Sequence, residues 1–479
     1  MRRTLILTSL LTLIGLACGR IDSDLTDRPN LLLISVDTLR SDRLGCYGYG
    51  RDTSPNIDLI ADKGVLFEHA FSASPKTTPS HMSILTGLYP RAHNVYMWDM
   101  DSHGTYSGRR LSEKVTTLAE ILKEYGYTNV AFTGGANVAG EIGFDRGFEI
   151  YDESADTEAA CRWLEENVEK KFFLFYHTYY AHDPYLPPPP YDTKYDPGYS
   201  GSIPTRKELM DELGIQEGEA RHGIWQPLQK RFWSGIDLND PADRRHLNAL
   251  YDGAINYVDN ELIGSLIKSL EKSGTLDNTL IVFTSDHGEE FLEHGRLEHN
   301  SIYREVASVP LIMRLPGILP AGKRINQMVR TIDIMPTILD LLGISSDASI
   351  QGANLLPAIL DDRELDLTAG ADFNDYAPPV IESIREGDWF LLMDQRQSIS
   401  GKNGELAGTP FFALFNTGED PGEQNNVLAE FPEVAKRLRK NLRAQRIESS
   451  RKYAEEAAEQ QSATMDIKNI ERLKALGYL

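Results

Sequence analysis

The apolar pattern along the chain has two periods. Five short runs are almost continuously apolar: Leu31–Val36, Val130–Thr133, Phe172–Tyr176, Leu280–Thr284 and Leu311–Met313. Runs that do not alternate are expected of strands covered on both faces, as in a parallel sheet. Between them the spacing changes to three and four. Leu118, Ile121, Leu122 and Tyr125 form one helical stripe, and Tyr251, Ile255, Val258, Leu262, Leu266 and Leu270 form a longer one that stops near Gly274. Strands alternating with helices predict an α/β fold with a doubly wound, mostly parallel sheet.

The stretch from Pro184 to about Pro241 breaks this rhythm. Pro187 to Pro190 are consecutive prolines, which exclude regular helix or central strand there. The whole stretch reads as a long surface excursion beside the site. After Leu342-Gly343, Val380–Ile384, Trp389–Met393 and Phe411–Phe415 predict a small antiparallel sheet, and a helix is expected over Glu433–Arg443. Glu448–Asp466 is polar, read as a solvated helix or disorder, and Ile467–Leu479 regains an amphipathic spacing expected to dock on the body. The organisation expected is a signal over 1–18, a catalytic domain over 27–345, a smaller α+β subdomain over 346–445, and a charged tail with a terminal helix over 446–479.

Composition changes this picture in two places. The 479 residues carry a formal net charge of -22, which excludes nucleic-acid binding by bulk electrostatics. The amino terminus combines Arg2 and Arg3 with an apolar stretch, Leu5–Leu16, too short to span a bilayer and of the length of an export signal. Cys18 closes it in the manner of a bacterial lipoprotein, although Gly15 stands where such signals usually carry Leu; ordinary cleavage to a periplasmic or secreted protein is the alternative. Membrane contact is expected only through that lipid. Cys46 and Cys161 either pair or fill space, and oligomeric state is open.

Candidate chemistry gathers at predicted strand ends. Asp37 follows Leu31–Val36, at the edge where open α/β sheets place ligands, although an Asp there is commonly a turn residue. Asp286-His287 follows Leu280–Thr284, and carboxylate plus imidazole is a divalent-metal donor set; a capping Asp beside a surface His is the blander alternative. In Thr77-Thr78-Pro79-Ser80-His81, Pro79 suits the first position of a helix and Gly87 its end, placing Thr77 just before a helix amino terminus, where an anion or alkoxide is favoured. A simple N-cap explains Thr77 or Thr78 equally well. His177 and His182 follow Phe172–Tyr176, and His294 and His299 follow Asp286-His287.

Taken in order, these segments resemble the sulfatase family of the alkaline-phosphatase superfamily. Pro29-Asn30-Leu31 through Asp37-Thr38-Leu39-Arg40, Pro55-Asn56-Ile57 through Gly64-Val65-Leu66-Phe67, Pro79-Ser80 with Leu85-Thr86-Gly87, Gly143-Phe144-Asp145-Arg146-Gly147-Phe148, Ala181-His182-Asp183-Pro184-Tyr185, Ser285-Asp286-His287-Gly288-Glu289, Val309-Pro310-Leu311, Asp333-Ile334-Met335-Pro336-Thr337 and Asp420-Pro421-Gly422-Glu423 carry the resemblance. It implies one divalent metal on Asp37, Asp286, His287 and the nucleophile Thr77. It implies an anionic ester substrate and a substrate or leaving-group histidine at His182, with His299 near the family's second basic contact; His182 or His299 would protonate the leaving oxygen. His81, Asn137 and His177 are the candidate substrate-binding residues, and Glu289 and His294 are further candidates around the site. The imidazole of His287 leans the expected metal from calcium toward zinc or manganese.

The departures carry as much information. Sulfatases convert a Cys or Ser, in Cys/Ser-x-Pro-x-Arg, to formylglycine; here the positions are Thr77, Pro79 and His81. Oxidising Thr would give a ketone rather than an aldehyde, so no formylglycine is expected. Thr38 replaces the second metal Asp, and Thr133-Gly134-Gly135-Ala136-Asn137 stands where the family's Gly-Lys-Trp-His block would supply substrate contacts. A sulfated Thr lacks the second hydroxyl through which hydrated formylglycine sheds sulfate. A phosphorylated Thr is released by a second in-line attack at phosphorus. The sequence therefore predicts a phosphate- or phosphonate-ester hydrolase, with a sulfuric ester hydrolase acting on a sulfated glycan or small molecule, and a non-catalytic binding protein of the same fold, as alternatives.

Overall fold

The computed structural model describes residues 28–96, 99–100, 106–214, 225–373, 381–395, 411–457, 460–466 and 468–469. The export signal and Cys18 lie outside these residues, as does most of the expected terminal helix. A nine-stranded sheet forms the centre. Its strands are β1 (Asn30–Val36), β2 (Val65–Phe71), β3 (Thr128–Phe132), β4 (Ile150–Asp152), β5 (Phe172–Thr178), β6 (Thr279–Thr284), β7 (Ser308–Val309), β8 (Leu311–Arg314) and β9 (Lys323–Arg330). They run in the order β7-β2-β8-β6-β1-β5-β3-β4, with β9 also on β2. The pairs β6/β1, β1/β5, β5/β3 and β3/β4 are parallel, and β8 is antiparallel to both β6 and β2. The sheet is thus the mostly parallel one that the unbroken apolar runs require. In β1, Leu31 and Leu33 bury into one face and Leu32 and Ile34 into the other.

The helices named below are α1 (Pro55–Asp62), α2 (Thr77–Thr86), α3 (Arg206–Leu213), α4 (Trp225–Ser234), α5 (Pro241–Tyr257), α6 (Gly264–Lys272) and α7 (Pro432–Lys452). The long stripe through Leu270 is α5 and α6 joined by a π-helical turn, Val258–Ile263, and the chain leaves it at Gly274 with φ +72°. There Asp259 turns inward, accepting hydrogen bonds from the backbone N–H groups of Asn56 and Ile57 at the start of α1. The stretch 184–241 departs from the sequence reading: it contains α3 and α4, whose Leu209, Met210, Leu228 and Phe232 are buried. The proline run forbids helix only where it stands; beyond it, apolar residues spaced by helical turns still find a core.

The carboxyl-terminal part is a four-stranded antiparallel sheet, β10 (Ala369–Phe373), β11 (Ile381–Glu386), β12 (Trp389–Asp394) and β13 (Phe411–Asn416), with α7 on one face. Its first strand, rich in small residues, was missed. Helix α7 runs nine residues past the expected Arg443, and the following polar segment contributes a strand, Ser462–Thr464, paired with Tyr106–Arg109. Cys46 and Cys161 are not joined in a disulfide.

Candidate active site

Strand β1 lies between β5 and β6, so three carboxyl ends converge at mid-sheet. Asp37 extends the β1 ladder by one bond, its N–H donating to the Thr178 carbonyl at 3.0 Å. Thr38 then turns the chain at φ +57°, a region a β-branched residue rarely adopts. Its N–H donates to Asp286 Oδ1 at 3.2 Å and its carbonyl accepts from the Tyr251 hydroxyl at 2.7 Å, which hold the conformation. After β6, Ser285 Oγ donates to the His287 carbonyl at 2.6 Å and accepts from the Leu39 N–H at 3.0 Å, tying the two strand ends together.

Donor atoms of Asp37, Asp286 and His287 all lie within 4.8 Å of one another, and the three residues are fully buried. Both Asp37 carboxylate oxygens, Asp286 Oδ2 and His287 Nε2 have no hydrogen-bond partner among the described residues. Buried carboxylate oxygens without donors are costly unless a cation balances them. His287 Nδ1 faces the Gly288 carbonyl at 3.1 Å, which puts its proton there and turns the Nε2 lone pair inward. Burial raises Asp37, but the imidazoles of His177, His182 and His287 outweigh it and hold the carboxyl near 2. Burial and the Asp37 charge push Asp286 well up, and burial lowers His287 to about 4. The donor set fits one divalent cation in a mixed oxygen–nitrogen site.

Helix α2 brings its amino end to this cluster. Thr77 is the first helical residue, two positions earlier than Pro79 suggested, and the cap position falls on Lys76, whose side chain makes no capping bond. Thr77 is therefore not the N-cap, and the Thr78 hydroxyl donates to the Asn137 carbonyl at 2.7 Å instead. Ser80 Oγ donates to the Asp286 carbonyl at 2.8 Å. His81 sits behind the first turn with both nitrogens engaged by protein groups. Nε2 is 2.8 Å from Ser35 Oγ, while Nδ1 is 2.9 Å from the Thr77 carbonyl and 3.5 Å from Asp286 Oδ2. Burial and the neighbouring His177 lower it to about 3. Gly87 ends the helix as expected, at φ +65°.

His177 belongs to β5 rather than following it. Its Nδ1 accepts from the Gly134 N–H at 3.3 Å, so Nε2–H points toward Asp37 Oδ2, 3.5 Å away. Asn137, in a 3-10 turn at Ala136–Val138, is fully buried with both side-chain amide atoms unpartnered among the described residues. His182 and His299 meet with their Nε2 atoms 3.4 Å apart. His299 Nδ1 donates to the Pro75 carbonyl at 3.1 Å, and burial, with the charge of Lys76, lowers this imidazole well below the usual range. His182 Nδ1 lies 2.9 Å from the Asp183 carbonyl oxygen and 3.1 Å from its carboxylate. Burial works against a charge on His182, but Asp183, Asp37 and Glu289 overcome it and raise its pKa to about 10. The pair thus sets a protonated His182 against a neutral His299.

His294 stands apart, stacked on Tyr303 with ring centroids 3.6 Å apart and paired with Glu305 at 3.3 Å. Glu289 is fully buried, its carboxylate oxygens have no partner among the described residues, and burial pushes it well up. Lys76 escaped the sequence reading. It is 6% exposed, its Nζ donates to Asn300 Oδ1 at 2.9 Å and lies 5.2 Å over the Phe373 ring, and it lowers the neighbouring imidazoles of His287 and His299. Its only sequence signal is adjacency to Thr77.

Two buried carboxylates and an imidazole that could hold a cation, the amino end of α2 and the His182–His299 pair are the parts a hydrolase acting on ester bonds uses. Residues 29–344 match the sulfatase family, and the chain belongs to it; residues 292–448 match the family described as N-sulphoglucosamine sulphohydrolase, C-terminal. The N-acetylglucosamine-6-O-sulfatase of Bacteroides thetaiotaomicron is 23% identical over 88% of this chain and 87% of that protein. A solved structure of a protein in complex with its substrate D-glucosamine-2-N,6-O-disulfate superposes with a TM-score of 0.69 at 21% identity, over 90% of this chain and 99% of the other. The phosphonate monoester hydrolase of Agrobacterium radiobacter superposes with a TM-score of 0.65 at 22% identity, over 88% and 96%.

Proposed function

We propose that this member of the family hydrolyses phosphate or phosphonate esters with unmodified Thr77 as the nucleophile. The observation that carries the reading is the residue at the signature position: a buried Thr whose Cβ carries a methyl, first in α2, the helix whose first turn is tied to Asp286 through Ser80. Asp37, Asp286, His287 and Thr77 would hold one divalent cation, zinc or manganese ahead of calcium. When bound it would supply charge stabilisation to a non-bridging oxygen and lower the pKa of the Thr77 hydroxyl. Thr77 gives up its hydroxyl proton to solvent, Oγ attacks phosphorus in line, and the bond from phosphorus to the leaving oxygen breaks. The proton on His182 Nε2 passes to that oxygen. Water then attacks the phospho-threonine and passes a proton to the neutral His182, which restores its charge; the bond from phosphorus to Thr77 Oγ breaks, and the released alkoxide takes up a proton from solvent. Asn137 offers its unpartnered amide and Lys76 its charge to the transferring group's oxygens. His81 braces the Thr77 turn, and His177 braces Asp37.

Sulfate-ester hydrolysis is the second reading, favoured by the sulfatase among the relatives. Metal analysis and one screen of phosphate, phosphonate and sulfate monoesters and diesters, run beside Thr77→Ala, separate the two from a binding protein without turnover. Intact mass of the active enzyme should show Thr77 unaltered, and a quenched reaction should trap phosphate on it. Robust sulfate turnover by protein with unmodified Thr77 would overturn the phosphoester reading. We further propose that residues 1–18 are an export signal and that Cys18 carries lipid.

A further inference from the structure

Helix α4 lies inside the stretch between Pro184 and Pro241, outside every segment that carries the family resemblance, yet it reaches Asp183, the neighbour of His182. Gln229 and Trp233 stand one helical turn apart, on one face of α4. Gln229 Nε2 and Trp233 Nε1 both donate to Asp183 Oδ2 at 2.8 Å. The other carboxylate oxygen, Oδ1, lies 3.1 Å from His182 Nδ1. Asp183 is 2% exposed, so donors from elsewhere must fix which oxygen faces the imidazole. The helix is itself seated by Phe232, fully buried, and by the Trp233 ring against Tyr185, with centroids 6.4 Å apart.

We infer that Gln229 and Trp233 are positioning residues: by clamping one oxygen of Asp183 they aim the other at His182 Nδ1, so that His182 presents its Nε2–H on the side of His299, whose Nε2 is 3.4 Å away. The inference rests on the reading of His182 as the proton donor. It gives the excursion a role in the reaction, although neither residue touches the reacting atoms. Among the described residues, the groups facing His182 include Asp183 from its own loop, His299 at 3.4 Å, Asp37, His287, Glu289 and Glu298. Of these Asp183 is the one held by α4. A carboxylate released from the clamp turns away, and the imidazole keeps only the Asp183 carbonyl, 2.9 Å from Nδ1, without the carboxylate charge beside it.

The test uses the full metal-loaded chain and two probe pairs, 4-nitrophenyl and phenyl phosphate, and 4-nitrophenyl and phenyl sulfate. Whichever pair is turned over reports the effect. A phenolate leaves poorly without a proton, whereas 4-nitrophenolate hardly needs one. Trp233→Phe and Gln229→Leu should each lower kcat about tenfold on the phenyl ester, with little change on the 4-nitrophenyl ester or in KM. Phe232→Leu, which loosens the same helix without touching Asp183, should lower Tm and leave the ratio between the two esters unchanged. In proton–nitrogen NMR spectra the Trp233 indole N–H should resonate downfield and move on Asp183→Asn. Equal losses on both esters in Trp233→Phe and Gln229→Leu, or an indole signal indifferent to Asp183→Asn, would overturn the clamp. If His182→Ala shows no leaving-group dependence, the proton-donor reading falls and the inference with it, while the indole signal still reports the hydrogen bond by itself.

Discussion

At the scale of single residues, the site is built on a few side chains placed where their chemistry is unusual. Thr77 keeps a hydroxyl but not the chemistry that makes formylglycine. Thr77→Ala should remove turnover by at least a factor of about a thousand while leaving Tm nearly unchanged, because the residue does not cap α2. Thr77→Ser should retain measurable activity. The paired His182 and Asp183 set the pH response. The His182 pKa is raised from 6.5 to about 10, so in the folded protein its proton stays in place through neutral pH and is lost as pH rises through about 10. Activity on poor leaving groups should therefore fall along that alkaline limb, and Asp183→Asn should move the fall to lower pH; a limb unmoved in a pH–rate profile of kcat/KM would assign it elsewhere. Asp37 and His287 were readable as metal donors because each followed an apolar run. Lys76 and Glu289 were not, because what distinguishes them is burial.

At the scale of elements, strand ends and helix starts do the positioning. The loop from Asp286 to Glu289 passes so near the neighbouring chain that Gly288 has no room for a side chain: a Cβ there would stand 2.1 Å from the Glu305 carbonyl oxygen. Gly288 N–H donates to the Val306 carbonyl at 2.7 Å, so the loop cannot simply move away. Gly288→Ala should displace His287 and weaken metal binding about tenfold or more, read by titration calorimetry, in a protein that still folds. The elements whose apolar pattern was unbroken were legible to within a residue or two. Those built on small residues or mixed polarity, β4, β9 and β10, were not, because a strand's burial comes from its neighbours as much as from its own side chains.

At the scale of the whole molecule, distant segments close the site. Asn469 near the carboxyl end accepts a hydrogen bond from the Ala136 N–H at 3.1 Å and donates to Glu141, holding the turn that carries Asn137. The Phe373 ring of the small sheet lies under Lys76. Removing the cation leaves Asp37 and Asp286 buried together, so a chelator should abolish activity and lower Tm; restoring the ion at a hundredfold its Kd should regain about 2.7 kcal/mol. Affinity should weaken as pH falls, since all three donors must be unprotonated to ligate. Full activity and unchanged Tm in chelator would remove the metal from the account. None of the described helices is long and apolar enough to cross a membrane. Membrane-fraction recovery, if lipid on Cys18 causes it, should disappear in Cys18→Ser.

The sequence by itself determined the fold class, because runs buried on both faces and stripes at helical spacing leave few other arrangements. It also determined which residues stand at the ends of the central strands, because Asp37 and Asp286-His287 directly follow those runs. The ordered motifs added Thr77 and the chemical consequence of its methyl group. Only the tertiary structure decided which groups meet. The pairing of His182 with Asp183 and His299, the two donors that α4 sends across to Asp183, the bracing of Thr77 by His81 and the burial of Lys76 and Glu289 depend on segments far apart in the chain. No local pattern encodes such meetings: a polar residue's neighbours, and hence its charge state, are set by how the packed elements come together.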